Sequence, residues 1–218
     1  MIPSQIICLL KKDLLLEWRK KYALNGILLY VFSMITICYQ SFRNPDPQTW
    51  IAVYWLIMLF VAINAVSKSF MLENRRRNLY LYTLANPVAI IIAKIIYNLL
   101  LQLFIGGISL LFYMVVMGNP IQSIGIFIIV LFLGSSGLSA TLTLLSAISQ
   151  KSEGNFILLP VLSFPVIIPL LLNLIRISNA TLTEVTFNYL QKGFLMTGGI
   201  ILMVFALSVI LFPFVWRE

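Results

Sequence analysis

The residues best placed to do chemistry lie in one polar stretch, residues 68–87, with the sequence KSFMLENRRRNLYLYTLANP. Glu73 and Arg77 are spaced to pair across one helical turn. The arginine side chains cannot enter lipid, so they must face water, lipid phosphates or a protein partner. Arg and Tyr are enriched in protein interfaces. The stretch therefore predicts either a headgroup-binding loop or a short helix that docks on a cytoplasmic protein through Glu73, Arg75, Arg76, Arg77, Tyr80 and Tyr82.

Two further features lie inside long apolar runs. Lys94 is a charge that must either snorkel to the interface or find a partner, and snorkelling is the expectation. Pro160, Pro165 and Pro169 fall in the run FILLPVLSFPVIIPLLL, where each proline removes one helical hydrogen bond. Three prolines so close together predict a broken helix that moves or lines a cavity, with simple packing as the alternative. We assign a conformational or cavity-lining role to Lys94 and the three prolines.

The constellations that support catalysis or metal binding are missing from the sequence. The chain has no histidine, which is the commonest metal ligand and general base. It has no G-x-x-x-x-G-K-[ST] pattern to hold ATP, and no G-x-S-x-G pattern. We therefore expect that the protein is not an enzyme and binds no cofactor directly. Any ATP hydrolysis that it uses would take place on a separate subunit.

Composition indicates how these residues are positioned. The chain has 218 residues, of which 61% are hydrophobic and 10% are charged, against roughly 25% charged in soluble domains. Apolar runs of 18 or more residues are long enough to cross a bilayer, and the backbone inside lipid must be helical. The sequence predicts an all-α polytopic membrane protein that forms a single transmembrane domain over residues 1–218. The predicted spans are residues 22–39, 50–67, 88–117, 124–149, 156–177 and 193–216.

The distribution of Lys and Arg predicts the orientation in the membrane. Most of the cations precede span 1, follow span 2, or follow spans 4 and 6, whereas the opposite side has only Arg43, Arg176 and Lys192. Cytoplasmic loops carry the excess of Lys and Arg. Both termini are therefore predicted to be cytoplasmic, and the net charge of +8 indicates topology rather than binding to nucleic acid.

Amphipathic side chains flank the first two spans. Residues 3–21 predict an interfacial elbow helix with one apolar stripe formed by Ile7, Leu10, Leu14 and Trp18. The alternative is a basic flank that only sets topology. At the start of span 2, Trp50, Tyr54 and Trp55 are expected at the lipid–water interface, where amphipathic rings are enriched.

Small residues are dense in spans 3 and 4, which include the segments IGGIS and LGSSGLSA. Small side chains allow helices to approach closely in membranes. We therefore predict helix packing at Gly106, Gly107, Gly134, Ser135, Gly137 and Ser139.

Three stretches carry a resemblance to a known family. They are KKDLLLEWRKKYALNGILLY, ENRRRNLYLYTLANPVAIIIAKIIYNLL and NFILLPVLSFPVIIPLLL. Together they resemble the heme exporter protein B family (CcmB), the permease of the cytochrome c maturation system, over nearly the whole chain. Leu81, Leu84 and Pro87 form the pattern L-x-x-L-x-x-P, which together with the following Lys94 resembles the family's arrangement of two leucines, a proline and a lysine. The Arg-rich and Tyr-rich form of residues 73–84 is similar to that of Bacteroidota members.

The resemblance implies an ABC-2-type permease in the bacterial cytoplasmic (inner) membrane. Such permeases pair with a cytoplasmic ABC ATPase that binds the ATP, with a heme-handling membrane subunit and heme chaperone, and with a second copy of themselves. The implied function couples ATP hydrolysis to heme export or to release of the heme-loaded chaperone. The alternatives are an ABC-2-type permease that exports lipid, polysaccharide or drug, and a membrane assembly factor that transports nothing.

Overall fold

The computed structural model describes residues 2–20, 22–43, 45–71, 86–151, 158–183 and 187–217. Those residues form helices and connecting loops, with no strand among them. The helices are α1 (Ile2–Lys20), α2 (Tyr22–Ser41), α3 (Pro47–Met71), α4 (Pro87–Met117), α5 (Ile124–Lys151), α6 (Leu158–Ala180) and α7 (Phe187–Arg217). Six of them, α2 to α7, are long and apolar enough to cross a membrane. The predicted fold class is therefore confirmed, including the helix that precedes the first span.

Prolines and capping residues explain where α3 and α4 begin. Asp46 accepts hydrogen bonds from the backbone N–H and the hydroxyl of Thr49, and Pro47 takes the first helical position. The Thr49 hydrogen bonds lower the pKa of the Asp46 carboxyl. Asn86 likewise accepts from the N–H of Val88 at 3.0 Å, directly before Pro87. Such caps satisfy N–H groups that a helix start leaves without partners.

Helix α5 lies at the centre of the bundle and packs against α3, α4, α6 and α7. The helices that surround it leave large apolar side chains exposed, most extensively on α7. Lipid is the solvent that accepts such a surface. The buried polar side chains of α5 include the predicted packing residues Ser135 and Ser139.

Aromatic side chains fill the core where α3, α4 and α5 meet. Trp50, Tyr54 and Trp55 are at most 1% exposed. The rings of Trp50 and Tyr54 contact those of Tyr113 and Phe127, and the Trp55 ring contacts that of Tyr54. The expectation that these three side chains lie at the lipid–water interface is therefore wrong. Inside the protein, neighbouring side chains contact more of each ring, and the polar ring atoms have hydrogen-bond partners.

Hydrogen bonds join the ends of the helices that face outward in the predicted topology. The Trp50 indole donates to the Gly118 carbonyl at 3.2 Å, and the Tyr113 hydroxyl donates to the Trp50 carbonyl at 3.1 Å. Across the bundle, the Thr181 carbonyl accepts from the backbone N–H groups of Gln122 and Ser123. The loop between α4 and α5 is thus joined to both α3 and the end of α6.

Three of the predicted packing glycines lie at close approaches between helices. A Cβ atom at Gly134 would overlap the Trp55 ring, and one at Gly137 would lie 2.9 Å from Leu170. A Cβ at Gly106 would lie 2.7 Å from the Met58 methyl group. Gly107 differs from the prediction, because nothing in the described structure lies near it. Successive residues of a helix point about 100° apart, so Gly107 faces away when Gly106 faces α3.

Candidate functional site

The predicted docking segment lies outside the described residues, which stop at Met71 and resume at Asn86. This applies to Glu73, Arg75, Arg76, Arg77, Tyr80 and Tyr82. Their docking role stays a prediction. The structure does describe the helix that follows the segment, α4, and the helix packed beside its first turns, α1.

A buried ion pair joins α1 to α4. The Lys94 ammonium lies 3.3 Å from one carboxylate oxygen of Asp13, and the two side chains are 7% and 8% exposed. Lys12 lies 3.2 Å from the other oxygen of Asp13. The expectation that Lys94 snorkels to the interface is therefore wrong. A buried ammonium is stabilised by a carboxylate within contact distance, so the chain provides one from its first helix.

The two helices run parallel and in register. Gln5 accepts a hydrogen bond from the Asn86 backbone N–H at 3.4 Å, and Glu17 accepts from the Tyr97 hydroxyl at 3.0 Å. The sequence separations of these contacts are 81 and 80 residues. Because the separation hardly changes, α1 and α4 advance together over about three turns. The contact between them is an extended seam rather than a crossing point.

Helix α1 has apolar residues on two sides, beyond the single stripe predicted from the sequence. Ile7 and Leu14 of the predicted stripe remain exposed on the outside of the protein. Leu9 and Leu16 share the face of Asp13 at helical spacing and are half-buried. The helix therefore has one apolar side toward its surroundings and a second, with two acidic residues, toward the bundle.

Polar residues continue along the buried face of α4. Lys94, Asn98 and Gln102 recur every fourth residue and are buried. The Asn98 amide donates to the hydroxyl of Thr143 on α5 at 2.8 Å, and the Gln102 amide donates to the Met58 carbonyl on α3 at 3.2 Å. The polar face of α4 therefore bonds to three neighbouring helices in turn.

The proline-rich span is a single helix in the structure. Helix α6 continues through Pro165 and Pro169, so the predicted break is not found. Both prolines are exposed, and they do not line an internal cavity of this chain. Prolines on an outer face leave the inner hydrogen bonds of a helix intact. Pro160 lies in the same helix, but its side chain is outside the described part.

The buried face of α6 is held by Asn173. Its amide donates to the hydroxyl of Thr197 at 2.7 Å and to the Gly193 carbonyl at 3.0 Å, both on α7. The inner side of α6 is thus bonded to α7. A conformational role for the prolines on its outer side stays a prediction.

Sequence reasoning found Lys94 but missed the residues that surround it. Asp13 and Glu17 lie one turn apart on α1, and Asn98 and Gln102 follow Lys94 at intervals of four. The sequence contains a signal for this polar face, because acidic or amide residues recur at intervals of four along these helices. Within the described ranges, no group of three His, Cys, Asp or Glu side chains could hold a metal ion.

Comparison with known proteins identifies one family. A family model described as "CcmB protein" matches residues 4–216, which is nearly the whole chain. Searches of curated proteins and of solved structures found no match.

Proposed function

Because this chain belongs to the CcmB family, the heme exporter permease component of cytochrome c maturation, we propose that it turns ATP hydrolysis on a partner subunit into movement of its own helices. The chain is a multi-pass membrane protein of the ABC permease class. The movement would release a heme-loaded chaperone on the outer side of the inner membrane, with transfer of heme itself as the close alternative.

The observation that carries this proposal is the buried pair of Asp13 and Lys94. It joins α1 to α4 about two turns from Asn86, where the chain emerges from the predicted docking segment. A push on that segment would therefore reach α1 through α4. Coupling of this kind requires a contiguous physical connection between the two sites, and the seam provides one.

The partners belong to the same proposal. A cytoplasmic ABC ATPase would dock on residues 70–84 and carry the ATP. A heme-handling membrane subunit and a heme chaperone would act with the complex, and a second copy of the chain would complete the permease. Both termini would face the cytoplasm.

Reversing the charge of the docking segment tests the proposal. The triple variant Arg75→Glu, Arg76→Glu and Arg77→Glu is expected to insert normally but to lose the ATPase on purification in mild detergent. It should also lose cytochrome c maturation. The matched control is Lys11→Glu with Arg19→Glu, which reverses exposed cations of α1 outside the segment. Retention of the ATPase by the triple variant would place the docking site elsewhere.

A further inference from the structure

Two carboxylates on α1 face the part of α4 that carries one buried ammonium. Asp13 and Glu17 are one turn apart on the same side of α1, and Lys94 and Tyr97 are one turn apart on α4. Asp13 contacts the Lys94 ammonium, whereas Glu17 accepts only from the Tyr97 hydroxyl through one oxygen. The ammonium lies 5.9 Å from the centre of the Tyr97 ring, on the way to Glu17.

The second oxygen of Glu17 is incompletely satisfied. It is buried and has no hydrogen-bond partner among the residues that the structure describes. A buried acceptor without a donor is destabilising, and more so when it is charged. A carboxylate kept in that position has a reason other than the contact with Tyr97, because an amide would accept the same hydroxyl.

We infer that Glu17 is an alternative counter-ion for Lys94, reached when α1 shifts by one turn along α4. The shift places Glu17 opposite Lys94 and Leu9 opposite Asn86, in place of Asp13 and Gln5. Asp13 keeps Lys12 beside it and moves toward the N-terminus of α4, where the helix dipole favours a negative charge. The buried ammonium is therefore paired at both ends of the movement. Shifts of one turn between packed helices are a known form of conformational change.

This inference rests on the proposed function, since ATP hydrolysis on the partner would drive the shift. It assigns Glu17 as a positioning residue that acts through Lys94. Lys94 is ion-paired in both registers of α1 along α4. Movement from one register to the other exchanges Asp13 for Glu17 as its partner. Such exchange suits a contact that must break and reform at each cycle, because no stage leaves the ammonium without a partner for long.

Cysteine pairs distinguish the two registers. In a background with Cys8→Ser and Cys38→Ser, the pair Gln5→Cys with Asn86→Cys reports the register seen here, and Leu9→Cys with Asn86→Cys reports the shifted one. Disulfides do not form when the Cα atoms are more than about 7 Å apart, and one turn is about 5.4 Å. Trapping the ATPase with vanadate should raise cross-linking of the Leu9 pair roughly tenfold, as the shifted register becomes dominant.

The pair Ile7→Cys with Asn86→Cys is the control, because Ile7 is 68% exposed on the opposite side of α1. It should not cross-link in either state. An unchanged, low yield for the Leu9 pair in the trapped complex would overturn the inference. If the same variant, without vanadate, still binds its ATPase and matures cytochrome c, the proposed function stands and only the shift is wrong. Failure of the unmodified protein to retain any ATPase would instead remove the proposed function.

Single substitutions give an independent measurement. Glu17→Gln keeps an acceptor for the Tyr97 hydroxyl but removes the charge. It is expected to insert, bind the ATPase and resist unfolding like the parent protein, yet to lower cytochrome c maturation severalfold. Glu17→Asp should restore part of the loss. A Glu17→Gln variant that matures cytochrome c at the parent rate would refute the role given to this carboxylate.

Discussion

Replacement of Gly134 by Ala tests how tightly the centre of the bundle is packed. The new methyl group would overlap the ring of Trp55 and lie 3.2 Å from Leu174. The ring is fully buried, and its N–H donates to the Ser178 hydroxyl at 2.8 Å. Trp55 therefore cannot move aside without losing that hydrogen bond or displacing its aromatic neighbours.

The size of the effect follows from these contacts. Overpacking of a well-packed core costs about 1–3 kcal/mol, and a weakened hydrogen bond between membrane helices adds about 0.6 kcal/mol. Alanine regains up to about 1 kcal/mol of helix propensity over glycine. The net loss should be about 0.6–2.6 kcal/mol, which raises the unfolded fraction roughly threefold to eightyfold. Gly107→Ala is the matched control, because nothing lies near that position and only the gain in propensity remains.

Equilibrium unfolding in mild detergent, followed by tryptophan fluorescence or by steric trapping, measures both variants. A Trp55→Phe background adds a second test. The smaller ring leaves room for the methyl group, so the cost of Gly134→Ala should fall there by about 1 kcal/mol or more. Equal stability of the Gly134→Ala and Gly107→Ala proteins would refute the packing argument. So would a cost that is the same with Phe as with Trp at position 55.

Three further predictions concern topology, the proline-rich helix and the polar face of α4. Cysteines placed at Arg43 and Thr183, both exposed beyond the ends of helices, should react with an impermeant thiol reagent from outside, and reaction only from inside would reverse the topology. Pro165→Ala and Pro169→Ala should leave insertion and ATPase binding intact but lower cytochrome c maturation, and normal maturation by both variants would reduce these prolines to packing features. Asn98→Leu should destabilise the bundle by about 1 kcal/mol in the parent and by less in a Thr143→Val background, because the two side chains share one hydrogen bond, and a double-mutant cycle measures that coupling.

The spans could be predicted because hydropathy reports what a helix must do in lipid. Their surroundings could not, because lipid and a protein interior are equally apolar. Trp50, Tyr54 and Trp55 illustrate the difference. Their amphipathic rings suit the edge of a membrane, but in this bundle the polar atoms of Trp50 and Tyr54 bond to the carbonyls of Gly118 and Gly106, and the rings are buried.

The partner of Lys94 was equally hidden from a reading along the chain. Asp13 lies on another helix, and no local pattern connects the two positions. Only the parallel register of α1 and α4 brings them together. The prediction for Gly107 failed for a related reason, since sequence density shows that small residues are present but not which side of the helix faces a neighbour.

The hydrogen bonds at the outer ends of the helices have a mechanical consequence. They hold α4 near Tyr113, so a force applied at its first turns acts on a lever whose pivot lies at the far end. Nineteen residues separate Lys94 from Tyr113 along that helix, a distance of roughly 28 Å at about 1.5 Å per residue. A tilt of about 10° then displaces Lys94 sideways by roughly 5 Å, while Tyr113 hardly moves. Because Asn98 and Gln102 bond α4 to α5 and α3 between these two points, such a tilt would carry parts of α3 and α5 with it.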